Sequence, residues 1–120
     1  MWTKCGWNTY LMHSRQKGNI AEDKACDYLV KQGYRVIERN FYSKYGEIDI
    51  IAIKNNILYF VEVKSGESFD PSENITFSKL ERIEKTLYIF LKRKNLTLPY
   101  NISAIILTNN RLEFIENITI

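Results

Sequence analysis

Four charged side chains stand near the two ends of the segment YGEIDIIAIKNNILYFVEVKSG, residues 45–66, which otherwise has largely the composition of buried β-strands. They are Glu47, Asp49, Glu62 and Lys64. Carboxylates can hold a divalent cation, and a neighbouring lysine can stabilise negative charge that grows on a phosphate. The chemistry that these residue types suggest is metal-assisted reaction at a phosphate, provided that the fold brings the four groups together.

A β-hairpin is predicted at the centre of this segment. Its two arms, EIDIIAI and ILYFVEV, are rich in β-branched and aromatic residues and flank Asn55-Asn56, which tolerate the positive φ angles of a tight turn. A two-residue loop places Lys54 opposite Ile57 and so fixes the register of the whole hairpin. Because side chains alternate between the faces of a strand, the four charged groups share one face, and the other face is predicted to carry Ile48, Ile50, Ala52, Tyr59, Val61 and Val63.

In this register Asp49 faces Glu62, and Glu47 faces Lys64. Opposed β carbons lie roughly 4.5–5.5 Å apart, so two acids that face each other destabilise the sheet unless something neutralises them. Mg²⁺ or Mn²⁺ would do so, because such cations prefer oxygen ligands and need few carboxylates when a substrate phosphate completes the site. Lys64 would then orient the attacking water or stabilise the phosphate. The simpler interpretation is a solvated strand end with an ordinary Glu47–Lys64 ion pair.

The remaining elements are predicted from periodicity and end signals. Residues 18–33 have helical spacing of apolar side chains, with Gly33 as the C-terminal cap. The segment YRVIERNF indicates a strand, and a second helix follows a capping box formed by Ser78 and Glu81. Two more strands flank Asn109-Asn110. The order α-β-β-β-α-β-β favours an α/β (α+β) domain with a mixed central sheet flanked by helices.

Each helix contributes candidates for the same site. Glu22 lies near the apolar face of the first helix and could lean toward the metal, but Asn19 followed by Glu22 also resembles a capping arrangement. Lys79 falls in the first turn of the second helix, where a phosphate contact and a merely solvated lysine are the two alternatives. Arg82 and Lys85 extend this basic face and are further candidates for binding nucleic acid.

Composition bounds the class of protein. With 120 residues and 45% hydrophobic content, the chain is expected to form one domain over 18–120, preceded by an extension over 1–17. The net charge of +3 permits contact with nucleic acid without requiring it. Cys5, Cys26 and His13 are too few for a zinc site or a disulfide framework. We see no membrane span and no signal peptide, and expect a cytoplasmic protein.

The motifs resemble those of known nucleases. An acid on one strand, Asp49, followed by the triplet Glu62-Val63-Lys64 on the next is similar to the PD-(D/E)XK pattern. A closer resemblance is to the YraN family of small bacterial proteins, whose GEID and VEVK motifs stand here at 46–49 and 61–64. The resemblance extends from Gly18 to about Leu107 and includes Glu22, Ala25, Leu29, Gly33-Tyr34, Arg39-Asn40, Lys79 and Arg82-Ile83.

This resemblance implies a restriction-endonuclease-like fold, akin to archaeal Holliday-junction resolvases, and a metal-dependent endonuclease acting on structured or branched DNA. It implies that Asp49 and Glu62 bind the metal together with the Val63 carbonyl. It also implies that Lys64 is the catalytic lysine and that Glu22 is the acid contributed by the first helix.

Two positions depart from the family pattern. Gly66 stands where the family usually has an arginine, and Asn101 stands where it often has an aspartate. The first departure removes a phosphate contact, and the second removes a structural or site acid. The glycine at position 66, together with the modest positive charge, favours the alternative of a non-catalytic nucleic-acid-binding or adaptor module, although the pair Asp49 and Glu62 is intact. By analogy with junction enzymes, a homodimer or a partner protein that presents the substrate also stays open.

Overall fold

The computed structural model describes residues 16–66, 75–109 and 111–118, so most of the predicted N-terminal extension lies outside the described residues. Seven elements follow one another in the predicted order: α1 (Gln16–Lys31), β1 (Arg35–Ser43), β2 (Gly46–Lys54), β3 (Ile57–Gly66), α2 (Phe77–Lys94), β4 (Tyr100–Thr108) and β5 (Arg111–Ile115). Helix α1 begins at Gln16, two residues earlier than predicted. Neither helix in the described part of the chain is long and apolar enough to cross a membrane.

The five strands form one mixed sheet in the order β1-β2-β3-β4-β5. Neighbouring strands are antiparallel except β3 and β4, which are parallel and are connected through α2. One apolar cluster joins α1 to one face of the sheet, and a second joins α2 to the other face. The predicted mixed sheet flanked by helices is therefore confirmed, and both faces of the central strands are buried.

The hairpin between β2 and β3 has the predicted register. Asn55 and Asn56 adopt φ angles of 52° and 62°, as a tight two-residue turn requires. Backbone pairing runs from Lys54 opposite Ile57 to the pair Ile50–Val61. The backbone ladder ends there, one residue before Asp49, so regular pairing of the two strands stops where the acids begin.

The predicted alternation of faces is wrong at this same point. Ile50 packs in the α1 cluster as expected, but Ile48 packs with Ile51 in the α2 cluster. The neighbouring strand switches faces in step, since Arg39 pairs with Ile50 and Phe41 pairs with Ile48. Between them Asn40 has a φ angle of 51°, a left-handed conformation that breaks the two-residue period of β1.

The helix ends show one correct prediction and one error. Gly33 has a φ angle of +93° after α1, and the Tyr34 N–H donates to the Leu29 carbonyl at 2.9 Å, as in a Schellman cap. The capping box at Ser78 is wrong, because the N-cap of α2 is Thr76. Thr76 has extended backbone, and its hydroxyl accepts from the Lys79 N–H at 3.1 Å, whereas Ser78 already lies inside the first turn.

Candidate metal centre and active site

Three carboxylates converge where β2 separates from β3. Glu22 of α1 and Glu47 and Asp49 of β2 each offer an oxygen, and these oxygens lie within 4.8 Å of one another. All three side chains are half-buried. The face switch at Asn40 is what allows this, because it moves Glu47 out of the regular alternation and toward the acid that α1 supplies.

The amide of Asn40 holds two of these acids together. Its Nδ2 donates to both carboxylate oxygens of Glu22, at 3.0 and 3.1 Å, and to Glu47 Oε2 at 2.7 Å. Arg39 reaches α1 beside them, with ion-pair distances of 2.9 Å to Asp23 and 3.5 Å to Glu22. Burial nevertheless raises the pKa of Glu22, against the lowering effect of Asn40 and Arg39, and the Glu47 charge acts in the same direction as burial.

Asp49 is the acid whose ionisation is most opposed. Burial, followed by the charge of Glu62, raises the pKa of Asp49 to about 8, and Glu22 and Glu47 add to the effect. One favourable contact partly offsets it, because the Val63 N–H donates to Asp49 Oδ2 at 2.8 Å. The carboxylate thus takes a backbone donor of β3 just beyond the end of the ladder, and it sits among three other acids.

Glu62 is buried, with 6% of its surface exposed. It is paired with two lysines, one from α2 and one from β3 itself. Lys79 Nζ lies 2.5 Å from Glu62 Oε2, and Lys64 Nζ lies 3.8 Å from the same oxygen. The neighbouring Lys79 ammonium, together with burial, lowers the pKa of Lys64. Burial opposes the charge on Lys79 most strongly, but the contacts with Glu62 and Lys64 and the charges of Glu62 and Asp49 together raise the pKa of Lys79.

A cavity of about 240 Å³ opens onto these groups. Acidic side chains line one part of it and basic side chains from α2 line another, and the whole lining consists of Tyr45, Gly46, Glu47, Asp49, Glu62, Lys79, Arg82 and Ile83. Lys85 lies one turn further along α2, with its ammonium 5.3 Å from the centre of the Tyr45 ring. A ligand in this cavity would therefore contact carboxylates and cations together.

The structure brings together most of the residues selected from the sequence. Asp49, Glu62 and Lys64 meet as expected, and Lys79 joins them through Glu62. Glu22 also belongs to the group, and its alternative as a capping residue is wrong, because α1 begins six residues before it. These contacts place the candidates side by side, while their roles in catalysis stay predictions.

The predicted Glu47–Lys64 ion pair is wrong. Glu47 bonds to Asn40 and converges with the acids Glu22 and Asp49, whereas Lys64 pairs with Glu62. The physical reason is the face switch, which separates Glu47 from the regular register of the hairpin. Asn40, which entered above only through the family resemblance, is also a residue of the site, and asparagine is among the residue types other than glycine that most readily adopt positive φ.

The donor set suits a hard divalent cation. Carboxylate oxygens are ligands that Mg²⁺ and Mn²⁺ prefer. The four acids are buried or half-buried and their negative charges repel one another, so a bound cation would stabilise their ionised forms. Glu22, Glu47 and Asp49 would hold such an ion in the observed arrangement, with Glu62 as the neighbouring acid. The Val63 carbonyl stays a predicted ligand, since the contact observed for this residue involves its N–H.

The two departures from the family pattern have different consequences. Gly66 is the last residue of β3 and leaves no side chain there to bind phosphate. Asn101 pairs with Tyr59, three residues before Glu62 along β3, and its side chain accepts a hydrogen bond from Ser103 Oγ at 2.6 Å. The asparagine therefore serves a contact within β4 and removes no acid from the cluster.

Comparison with known proteins gives a consistent family. The model of the uncharacterised protein family UPF0102 matches residues 21–116. A UPF0102 protein of Helicobacter hepaticus is 50% identical over 109 residues, which is 91% of this chain and 99% of the relative. The UPF0102 protein WS0451 of Wolinella succinogenes is 51% identical over 107 residues, covering 89% of this chain and 99% of the relative. The chain therefore belongs to family UPF0102, the YraN family.

Proposed function

We propose that this protein is a Mg²⁺- or Mn²⁺-dependent endonuclease that hydrolyses phosphodiester bonds in structured or branched DNA. The observation that carries the proposal is the convergence of the Glu22, Glu47 and Asp49 carboxylates beside the Glu62, Lys64 and Lys79 group. Acids that repel one another inside a half-buried site are costly to keep unless they serve a ligand. The adjoining lysines supply the charge that a phosphate needs.

Separate residues would divide the work. Glu22, Glu47 and Asp49 would hold the cation, which when bound lowers the pKa of water and polarises the scissile phosphate. Lys64, whose pKa is lowered next to Lys79, would exchange a proton or stabilise the charge of the transition state.

The basic side chains of α2 would position the DNA. Lys79, Arg82 and Lys85 extend from the cavity along the helix, and Arg82 and Lys85 are exposed. Contacts of this kind with phosphate oxygens fix orientation without reading sequence.

A second candidate function is a nucleic-acid-binding or adaptor module without turnover. The observation in its favour is the engagement of Glu62, whose carboxylate is already neutralised by Lys79 at 2.5 Å. An acid occupied in this way is a weaker metal ligand unless a substrate phosphate draws the lysine away. The absence of a side chain at Gly66 favours the same alternative.

Cleavage assays with defined DNA distinguish the two functions. Purified protein is incubated with single-stranded, duplex, flap and four-way-junction DNA in Mg²⁺, Mn²⁺ or EDTA, and products are resolved on denaturing gels. We expect metal-dependent cleavage that is lost in Lys64→Ala and in Asp49→Asn. Glu81→Gln is the matched control, because Glu81 is an exposed acid of α2 outside the cavity lining.

Binding measured on the same substrates decides what a negative cleavage result means. If the wild type binds the DNA but cleaves none of the four substrates in either metal, the module is correct and the nuclease is wrong. If cleavage survives in Lys64→Ala and Asp49→Asn, a contaminating nuclease or another site is responsible, and the proposed active site is wrong.

A further inference from the structure

We infer that Tyr45 is a stacking platform for an unpaired nucleobase, so that the site selects DNA with a single-stranded element over continuous duplex. This inference rests on the proposed function and specifies its substrate class. It starts from one feature that the carboxylates and lysines do not explain, which is an aromatic ring at the rim of a charged cavity.

The ring of Tyr45 has the surroundings of a nucleotide-binding surface. It lines the same cavity as Asp49 and Glu62, yet 38% of the residue is exposed. The ammonium groups of Lys44 and Lys85 each lie 5.3 Å from its ring centroid. An aromatic face flanked by cations offers stacking to a base and charge to the phosphates on either side of it.

The turn that carries Tyr45 is anchored to α2. Ser43 Oγ shares a hydrogen bond of 2.7 Å with Oγ1 of Thr86, a fully buried residue of α2. Ser43 Oγ also accepts a hydrogen bond from the Tyr45 N–H at 3.0 Å. Gly46 follows with a φ angle of +155° and approaches Arg82 closely enough that an added Cβ would lie 3.8 Å from its Cβ. The backbone of the turn is therefore anchored to α2, and this keeps Tyr45 at the rim of the cavity.

Stacking on Tyr45 requires a base outside a double helix. In a duplex the bases are stacked on their neighbours and present only edges in the grooves, so no π face is free for the ring. A lysine ammonium over an exposed ring binds more weakly than a stacked base, so a base can displace one ammonium and free it for a phosphate. Flap and gapped DNA supply such bases beside paired DNA, whereas a fully paired branch does not.

The test compares binding of two DNA molecules that differ in one feature. Fluorescence anisotropy is measured in Ca²⁺ with a labelled 30-base-pair duplex and with the same duplex carrying a five-nucleotide single-stranded gap, and gels verify that the DNA stays intact. The variants are Tyr45→Ala, Tyr45→Phe and, as a matched control, Tyr88→Ala. Tyr88 is half-exposed on α2, lies against Tyr100 and does not line the cavity.

We expect the wild type to bind gapped DNA more tightly than duplex. Tyr45→Ala should weaken binding of the gapped DNA at least about fivefold while leaving duplex binding within about twofold. Tyr45→Phe should bind like the wild type, because it keeps the ring, and Tyr88→Ala should do the same. Thermal melting of each variant establishes that it is folded; the Tyr45 backbone bond to Ser43 is kept in all of them.

Two results would overturn the inference. One is equal binding of the two DNAs by the wild type, and the other is a Tyr45→Ala variant that keeps the wild type's preference for gapped DNA, whether it loses no affinity or loses it equally for both DNAs. Either result leaves the proposed nuclease standing, because the protein still binds DNA. If the wild type binds neither DNA, the proposed function fails together with the inference. The cleavage assay described above would then also give no product with any of its four substrates.

Discussion

Replacing Asp49 with asparagine should stabilise the metal-free protein. The pKa of Asp49 is raised from an ordinary value of 3.8 to about 8, first by burial and then by the charge of Glu62. Because the folded state binds this proton more tightly than the unfolded state, stability is lost as the pH rises from about 4 to about 8. Asparagine has nearly the same shape and carries no charge, and its oxygen can still accept the Val63 N–H.

The expected size follows from the same shift. One pKa unit corresponds to about 1.4 kcal/mol, so ionisable Asp49 costs up to about 4 kcal/mol of unfolding free energy at pH 7. Relaxation and water entry reduce this figure, and we expect Asp49→Asn to gain between about 1 and 4 kcal/mol at pH 7. At pH 4 both folded proteins are neutral at this position and the unfolded wild type is only about half ionised there, so the gain should fall below about 1 kcal/mol.

Urea unfolding in EDTA at pH 4, 6 and 7.5 measures the effect, and Asp27→Asn, an exposed acid of α1, is the control. Repetition in millimolar Mg²⁺ or Mn²⁺ adds the second half of the prediction. A bound ion stabilises the folded wild type by about 2.7 kcal/mol at 100 times its dissociation constant, and Asp49→Asn should lose most of this gain. A variant less stable than wild type at pH 7, a gain that does not grow with pH, or a fully retained metal effect would refute the reasoning.

Three further predictions concern the site and the helix beside it. Glu47→Gln should also reduce the metal-induced rise in melting temperature, because Glu47 converges with Glu22 and Asp49; an unchanged rise in Mn²⁺ would exclude it from the metal site. Thr76→Ala should cost about 1 kcal/mol in urea unfolding and Ser78→Ala less than about 0.5 kcal/mol, and the reverse order would contradict the observed cap. The affinity for duplex DNA should fall by about 0.9 log units per phosphate neutralised for each tenfold increase in salt concentration. Lys85→Ala should reduce the slope of log affinity against log salt by about 0.9, because one phosphate contact is lost. An affinity that does not depend on salt would exclude phosphate-dominated binding.

Regular local structure could be predicted because its signals are local. The Asn55-Asn56 turn set the register of the hairpin, since both residues accept positive φ and the flanking segments favour strands. Gly33 identified the end of α1 for a similar reason. The start of α2 was predicted wrongly, because Ser78 has Glu81 three residues on and matches the capping-box spacing, whereas Thr76 caps the helix through its own hydroxyl alone.

The face switch could not be predicted from the hairpin pattern. Two-residue alternation assumes extended backbone throughout, and the left-handed conformation of Asn40 breaks it on β1 while β2 follows in step. Asparagine also occurs within ordinary strands, so its identity does not reveal where the chain will turn. For this reason Glu47 was assigned to Lys64, although it bonds to Asn40 beside Glu22.

The sequence by itself determined which chemistry is available. The order of elements and the presence of Asp49, Glu62 and Lys64 near the ends of paired strands follow from propensities that act over a few residues. Tertiary structure alone decided which groups meet. Packing of α1 on one face of the sheet brings Glu22 to Asp49, and packing of α2 on the other brings Lys79 to Glu62, because these contacts join segments whose relative positions depend on the whole core.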